Sequence, residues 1–159
     1  MLAIGFSTSR AWYSRLIRKF TKSKVSHTFL LTNVHGNLLV FQEGPLGYSV
    51  RAYEGFHKEN QVVSLVCPKV SILKGFQKSL AELGQPYAYL ALLGFGLVLL
   101  LRHFGWRLTH NPFSSKRATF CSQRNTEILQ DSGYPGAEAL NPALTSPEML
   151  LEFLSKTPL

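Results

Sequence analysis

Cysteine is almost missing from this chain, and acidic charge is missing altogether from its N-terminal quarter. Two cysteines, Cys67 and Cys121, stand far apart among 159 residues. That spacing excludes a disulfide framework and leaves no C-x-x-C pair for zinc. The five histidines are scattered, so we expect no metal site and no cofactor. There is no internal repeat and no low-complexity tract. The N-terminus, "MLAIGFSTSRAWY", has too short an apolar run before its arginine for a secretory signal. Synthesis into a reducing cytoplasm is the expectation, which leaves the cell envelope, a membrane surface or a virion open as the final site of action.

What is present describes a globular chain: 45% hydrophobic and 16% charged residues, enough to bury a core as a single domain over residues 1–159. The net charge of +8 is unevenly spread. No Asp or Glu precedes Glu43, whereas Arg10, Arg15, Arg18, Lys19, Lys22 and Lys24 crowd one segment. Such a face suits an anionic partner such as a wall polymer or phospholipid headgroups, or else is simply a solvated helix face. No base-reading motif is present, so no specific nucleic acid is expected.

Periodicity gives the elements. "LAIGF" reads as a strand, and "SRAWYSRLIRKF" as a helix with Trp12, Leu16 and Phe20 on one side. "VSHTFLLTNVHGNLLVFQEG" is a hairpin turning around His35, Gly36 and Asn37. "NQVVSLVC" is a further strand, stopped by Pro68. "SILKGFQKSLAELG" is a helix capped by Ser71, with Ile72, Phe76, Leu80 and Leu83 as its stripe and Gly84 at its end. A helix from Cys121 to about Gln130 precedes "DSGYPG", and "TSPEMLLEFL" closes the chain with Pro147 at the first helical position. Few strands grouped early, with helices around them, make the class α+β. From Tyr87 to Leu101 no side chain is charged. As a helix this stretch would span about 22 Å against roughly 30 Å of bilayer hydrocarbon, so a buried helix, a peripheral membrane contact or a contact within a larger assembly is expected rather than a span.

The chemistry centres on His27 and Cys121. Val25, His27, Phe29 and Leu31 share one face of a strand. An odd-length loop centred on His35 would set His27 opposite Glu43, close enough for the carboxylate to hold the imidazole in one tautomer. A two-residue His-Gly turn would shift the register and break that match. A core histidine satisfied by neighbours is the plainer alternative. Cys121, at a helix start, shares a side with Ile128 and Leu129; unpaired N–H groups and the helix dipole there favour a thiolate. An adjacent imidazole would favour it further, as cysteine hydrolases require. Burial as a small hydrophobe is the plainer fate for a cysteine, and Cys67 is read as structural.

At these residues the chain resembles the permuted branch of the NlpC/P60 papain-like superfamily, the thiol hydrolases that include the YiiX-like proteins. "SHTFL" (26–30) is similar to the family's histidine strand, "CSQ" (121–123) to its cysteine helix, "FQEG" to its acidic segment, "GQPYAY" (84–89) to the segment preceding the cysteine, and "LTSPEML" to a late family motif. The resemblance covers nearly the whole chain in matching order, although each motif is short. It implies a papain-like α+β fold, a small antiparallel sheet packed against helices that include the cysteine-bearing one. It implies Cys121 as nucleophile, His27 as base and Glu43 as third residue, with Tyr87, Ser26 and Ser122 at the substrate. Gln123 departs from the family's usual Glu. The implied activity is hydrolysis of an amide bond, first of all in a cell-wall peptide; an acyl-lipid ester or thioester substrate, acyl transfer at a membrane surface, and a non-catalytic structural or binding protein on the same fold are the alternatives.

Overall fold

A computed structural model describes residues 2–10, 14, 15, 18, 19, 23–44, 46–88, 94, 96–98, 100, 101, 104, 105, 110 and 119–156. The helix expected around Trp12, Leu16 and Phe20, and most of the apolar stretch from Tyr87 to Leu101, lie outside the described residues. The fold is α+β. Its five strands are β1 (Leu2–Ser9), β2 (His27–Val34), β3 (Asn37–Gly44), β4 (Gly47–Ala52) and β5 (Asn60–Val66), antiparallel in the order β4-β3-β2-β1-β5. Four described helices accompany them: α1 (Tyr53–Glu59), α2 (Leu73–Leu80), α3 (Cys121–Asp131) and α4 (Pro147–Lys156). Among the described residues no helix is long and apolar enough to cross a membrane.

Strand alternation sorts the side chains onto two faces. On one, Ile4, Phe6, Leu30, Phe41 and Tyr48 join Phe76 of α2 and Ile128 and Leu129 of α3 in the larger core. On the other, Ala3, Phe29, Leu31 and Val40 pack with Phe56 of α1. Two glycines make this packing possible. A Cβ on Gly5 would lie 2.1 Å from the Phe29 ring, and one on Gly75 would lie 2.1 Å from the Ile128 carbonyl oxygen. Gly5 therefore lets an aromatic cross β1, and Gly75 lets α2 lie directly on α3.

The β2–β3 connection is the decisive local feature. Val34 pairs with Asn37, so the turn has two residues, His35 (φ 50°) and Gly36 (φ 88°). Positive φ at both positions matches the strand twist of a tight hairpin, and glycine takes the second at no steric cost. Asn33 Oδ1 accepts the Gly36 N–H at 2.8 Å, which fixes the turn. The even loop gives Phe29↔Gln42, Leu30↔Phe41 and Leu31↔Val40. The odd-loop pairing of His27 with Glu43 is thereby corrected: the register differs by one residue, and Glu43 moves to the opposite sheet face.

Several elements depart from the sequence reading. Strand β4 and helix α1 were not anticipated; Tyr48 and Val50 alternate in β4, but its six residues are too short to stand out. The helix at Ser71 begins at Leu73, with Ser71 Oγ accepting the Leu73 N–H at 3.4 Å, and it ends at Leu80, before Leu83. Helix α3 starts at Cys121 as expected. Ser146 Oγ accepts the Met149 N–H at 3.1 Å, capping the helix that begins with Pro147.

Candidate functional site

The β2–β3 ladder stops at Phe29–Gln42. Beyond it, β2 stays with β1 through Thr28↔Phe6 and His27↔Ser7, while β3 stays with β4 through Glu43↔Tyr48 and Gly44↔Gly47. The sheet splits there, and the N-terminus of α3 meets the split.

Cys121 reaches the β2 side. There the backbone and side chain of Thr28 and the backbone of Ser122 act on the thiol, each favouring the thiolate. Asn125, one turn along α3, donates to Thr28 Oγ1 at 2.8 Å and to the Cys121 carbonyl oxygen at 3.2 Å. These bonds fix α3 on the strand residue that follows His27. Burial pushes the Cys121 thiol up to about 11, against the opposing effect of its hydrogen bonds. Sequence reasoning anticipated a lowered value from the helix start; desolvation of a side chain only 6% exposed outweighs it.

His27 lies on the face covered by α1, its ring 6.2 Å from that of Phe56. Desolvation lowers its pKa to about 4, opposed by a hydrogen bond with Gln42. That bond, Nε2 to Gln42 Oε1 at 2.9 Å, carries chemical information. An amide oxygen only accepts, so Nε2 holds the proton and Nδ1 keeps the lone pair. Gln42 thus holds the ring where the sequence suggested Glu43 would. Sequence reasoning missed Gln42, although the available signal was the even-loop register already weighed for the His-Gly turn.

Glu43 belongs to a different constellation. Its Oε1 accepts from Arg124 Nε at 3.0 Å and from the Thr119 hydroxyl. Arg124 also donates to Thr119 Oγ1 at 2.8 Å, to Gln85 Oε1 at 3.1 Å and to Glu82, with its guanidinium 4.9 Å from the centre of the Tyr48 ring. Burial raises the Glu43 carboxyl above its ordinary range, with Thr119 and Arg124 opposing. The cluster ties β3 and β4 to α3 on the other side of the split. Glu43 here is a scaffold group.

The remaining anticipated residues surround this arrangement. Tyr87 bridges to Thr119, and Ala88 N–H donates to the Thr119 carbonyl oxygen at 3.1 Å, which aligns the segment leading into Cys121. Ser26 Oγ bonds Ser14 Oγ at 2.6 Å. Among the described residues, Ser122 Oγ is buried without a hydrogen-bond partner. Gln123 Nε2 donates to Glu127 Oε1 at 2.9 Å, an i,i+4 brace on α3 that a glutamine supplies without a carboxylate. Among the described residues no group of His, Cys, Asp and Glu is arranged to hold a metal ion.

A neutral thiol at the start of α3 lies against Thr28, and a neutral imidazole stands at the preceding residue of β2. Because consecutive strand residues leave opposite faces, the sulfur is on the α3 face and the ring on the α1 face. No protein-family model matches this chain, and no curated protein matches it.

Proposed function

We propose that the protein is a papain-like thiol hydrolase of the permuted NlpC/P60 kind, with Cys121 as nucleophile, His27 as general base and Gln42, in place of Glu43, as the residue that orients the ring. The observation that supports this reading is the anchoring of the Cys121 turn on Thr28 through Asn125, one residue along β2 from a His27 whose Nε2–H is committed to Gln42. The mechanism requires the ring to turn from the α1 face round the open end of the β2–β3 ladder to reach the sulfur. Both groups rest uncharged at neutral pH, so the proton leaves sulfur as attack begins rather than in a preformed ion pair. Nδ1 of His27 takes the thiol proton while sulfur bonds to the carbonyl carbon. The tetrahedral oxyanion accepts hydrogen bonds from first-turn N–H groups of α3. The C–N or C–O bond then breaks, the leaving group receives the proton from His27, and an acyl-Cys121 thioester remains. Water, deprotonated by the same imidazole, cleaves the thioester to a free acid and restores the thiol.

The substrate we favour is an amide in a cell-wall peptide, with an acyl ester or thioester at a membrane surface next. The test compares wild type with Cys121→Ala on purified cell walls and on short acyl esters. We expect release of product by wild type on one of them and a loss of at least about 100-fold in Cys121→Ala, the scale on which a nucleophile's removal is felt. Equal rates would end the enzymatic reading.

A second reading, a binding or structural protein on the same fold, draws on the thiol at about 11 and the imidazole at about 4. It predicts equally inert wild-type and Cys121→Ala proteins on both substrates.

A further inference from the structure

We infer that the chain carries a pocket for a phosphate group at the end of β1, separate from the thiol chemistry. A cleft of about 560 Å³ opens there, within the roughly 300–1,000 Å³ usual for sites that take small molecules. Arg10, Arg15 and Arg18, which follow β1, line it together with His57 and Lys58 from the end of α1. Sequence alone places the arginines in a basic stretch, but not the contribution of α1 across from them. Glu59 also lines the cleft, and its carboxylate is taken up by Arg51 at 2.8 Å. Among the described residues, none of Arg10, Arg15, Arg18 and Lys58 forms an ion pair, although four cations share one concave space. Among the described residues, Arg18 Nε is buried without a hydrogen-bond partner, so its guanidinium is not taken up by the protein on that side. Four cations without ion-pair partners around one concavity are a state that an oxyanion relieves, because it accepts from the terminal groups of the arginines and neutralises them and Lys58 together. Phosphate fits this better than a carboxylate, since it offers more acceptor oxygens and a larger charge to several donors converging from two elements. The cleft's concavity selects a discrete phosphate-bearing group over a flat polyanionic surface.

Isothermal titration with inorganic pyrophosphate tests the assignment. Wild type is expected to bind it saturably at a single site. Affinity should fall at least about tenfold in Arg18→Gln and in the exposed-site variant Lys58→Gln, and stay unchanged in Lys156→Gln, which makes the same charge change elsewhere. Lys58→Gln keeps the test decisive if Arg18→Gln fails to fold. Cys121→Ala should bind as wild type does, so this site stands or falls apart from the hydrolase reading. Sedimentation with phosphatidylglycerol vesicles then separates two sources of the group: capture that pyrophosphate competes away identifies a lipid headgroup, and pyrophosphate binding without capture identifies a soluble phosphate compound. Non-saturable binding, or equal weakening in Lys156→Gln, overturns the pocket and leaves diffuse surface charge.

Discussion

At the scale of single residues, His27 couples the site to the stability of the fold. Its folded pKa of about 4 lies below its ordinary 6.5, so the unfolded chain takes up a proton in a range where the folded chain does not. The stabilisation is complete above pH 6.5 and is lost progressively as pH falls towards 4. A shift of this size corresponds to at most about 3 kcal/mol. Chemical denaturation of wild type and His27→Gln between pH 7 and 4 checks it: wild type should lose stability more steeply, and parallel curves would mean that His27 is not held neutral by burial. The same scale shows what was legible in the sequence. Cys121 at a helix start and His27 in a strand were both readable, because caps and alternation are local. Their pKa values were not, since desolvation depends on which distant elements cover them.

At the scale of elements, one turn decides which groups meet. His35 and Gly36 close the hairpin with two residues, and that count puts Gln42 on the face of His27 and Glu43 on the face of α3. Glu43 then needs a partner, and Arg124 of α3 provides it at 3.0 Å with both side chains 5% exposed or less. This ion pair ties the thiol-bearing helix to β3, so breaking it should cost far more than its net worth. We expect Arg124→Met to destabilise the protein by about 3–5 kcal/mol, because Glu43 is left buried and uncompensated. Adding Glu43→Leu should restore much of the loss. Urea midpoints for the two variants check this; a single variant as stable as the double would remove Glu43–Arg124 from the scaffold. Nothing local announced the pair. Arg124 follows Cys121 by three positions on a helix, and its partner comes from a strand whose register had to be known first. Strand β4 and helix α1 escaped for a related reason: both are short, and their apolar residues gain meaning only against Tyr48 and Phe56 in the finished core.

At the scale of the whole molecule, distant segments converge on the place where the sheet divides. The strand that opens with His27 keeps its partner β1, the strand that ends with Glu43 keeps β4, and α3 bridges them with Cys121 on one side and Arg124 on the other. The larger core holds this bridge rigid through Ile128 and Leu129. The fold class was readable from the grouping of strands and helices, whereas the strand order and the split were not, because both follow from long-range pairing. The measurement that bears most directly on the proposed chemistry is intact and peptide mass spectrometry after acid quench of a reaction with a short acyl p-nitrophenyl ester. The account predicts an acyl group on the peptide containing Cys121 in wild type, greatly diminished in His27→Ala and absent in Cys121→Ala. Acylation that is spread over lysines, or that stays on Cys121 at the same rate without the imidazole, would contradict it.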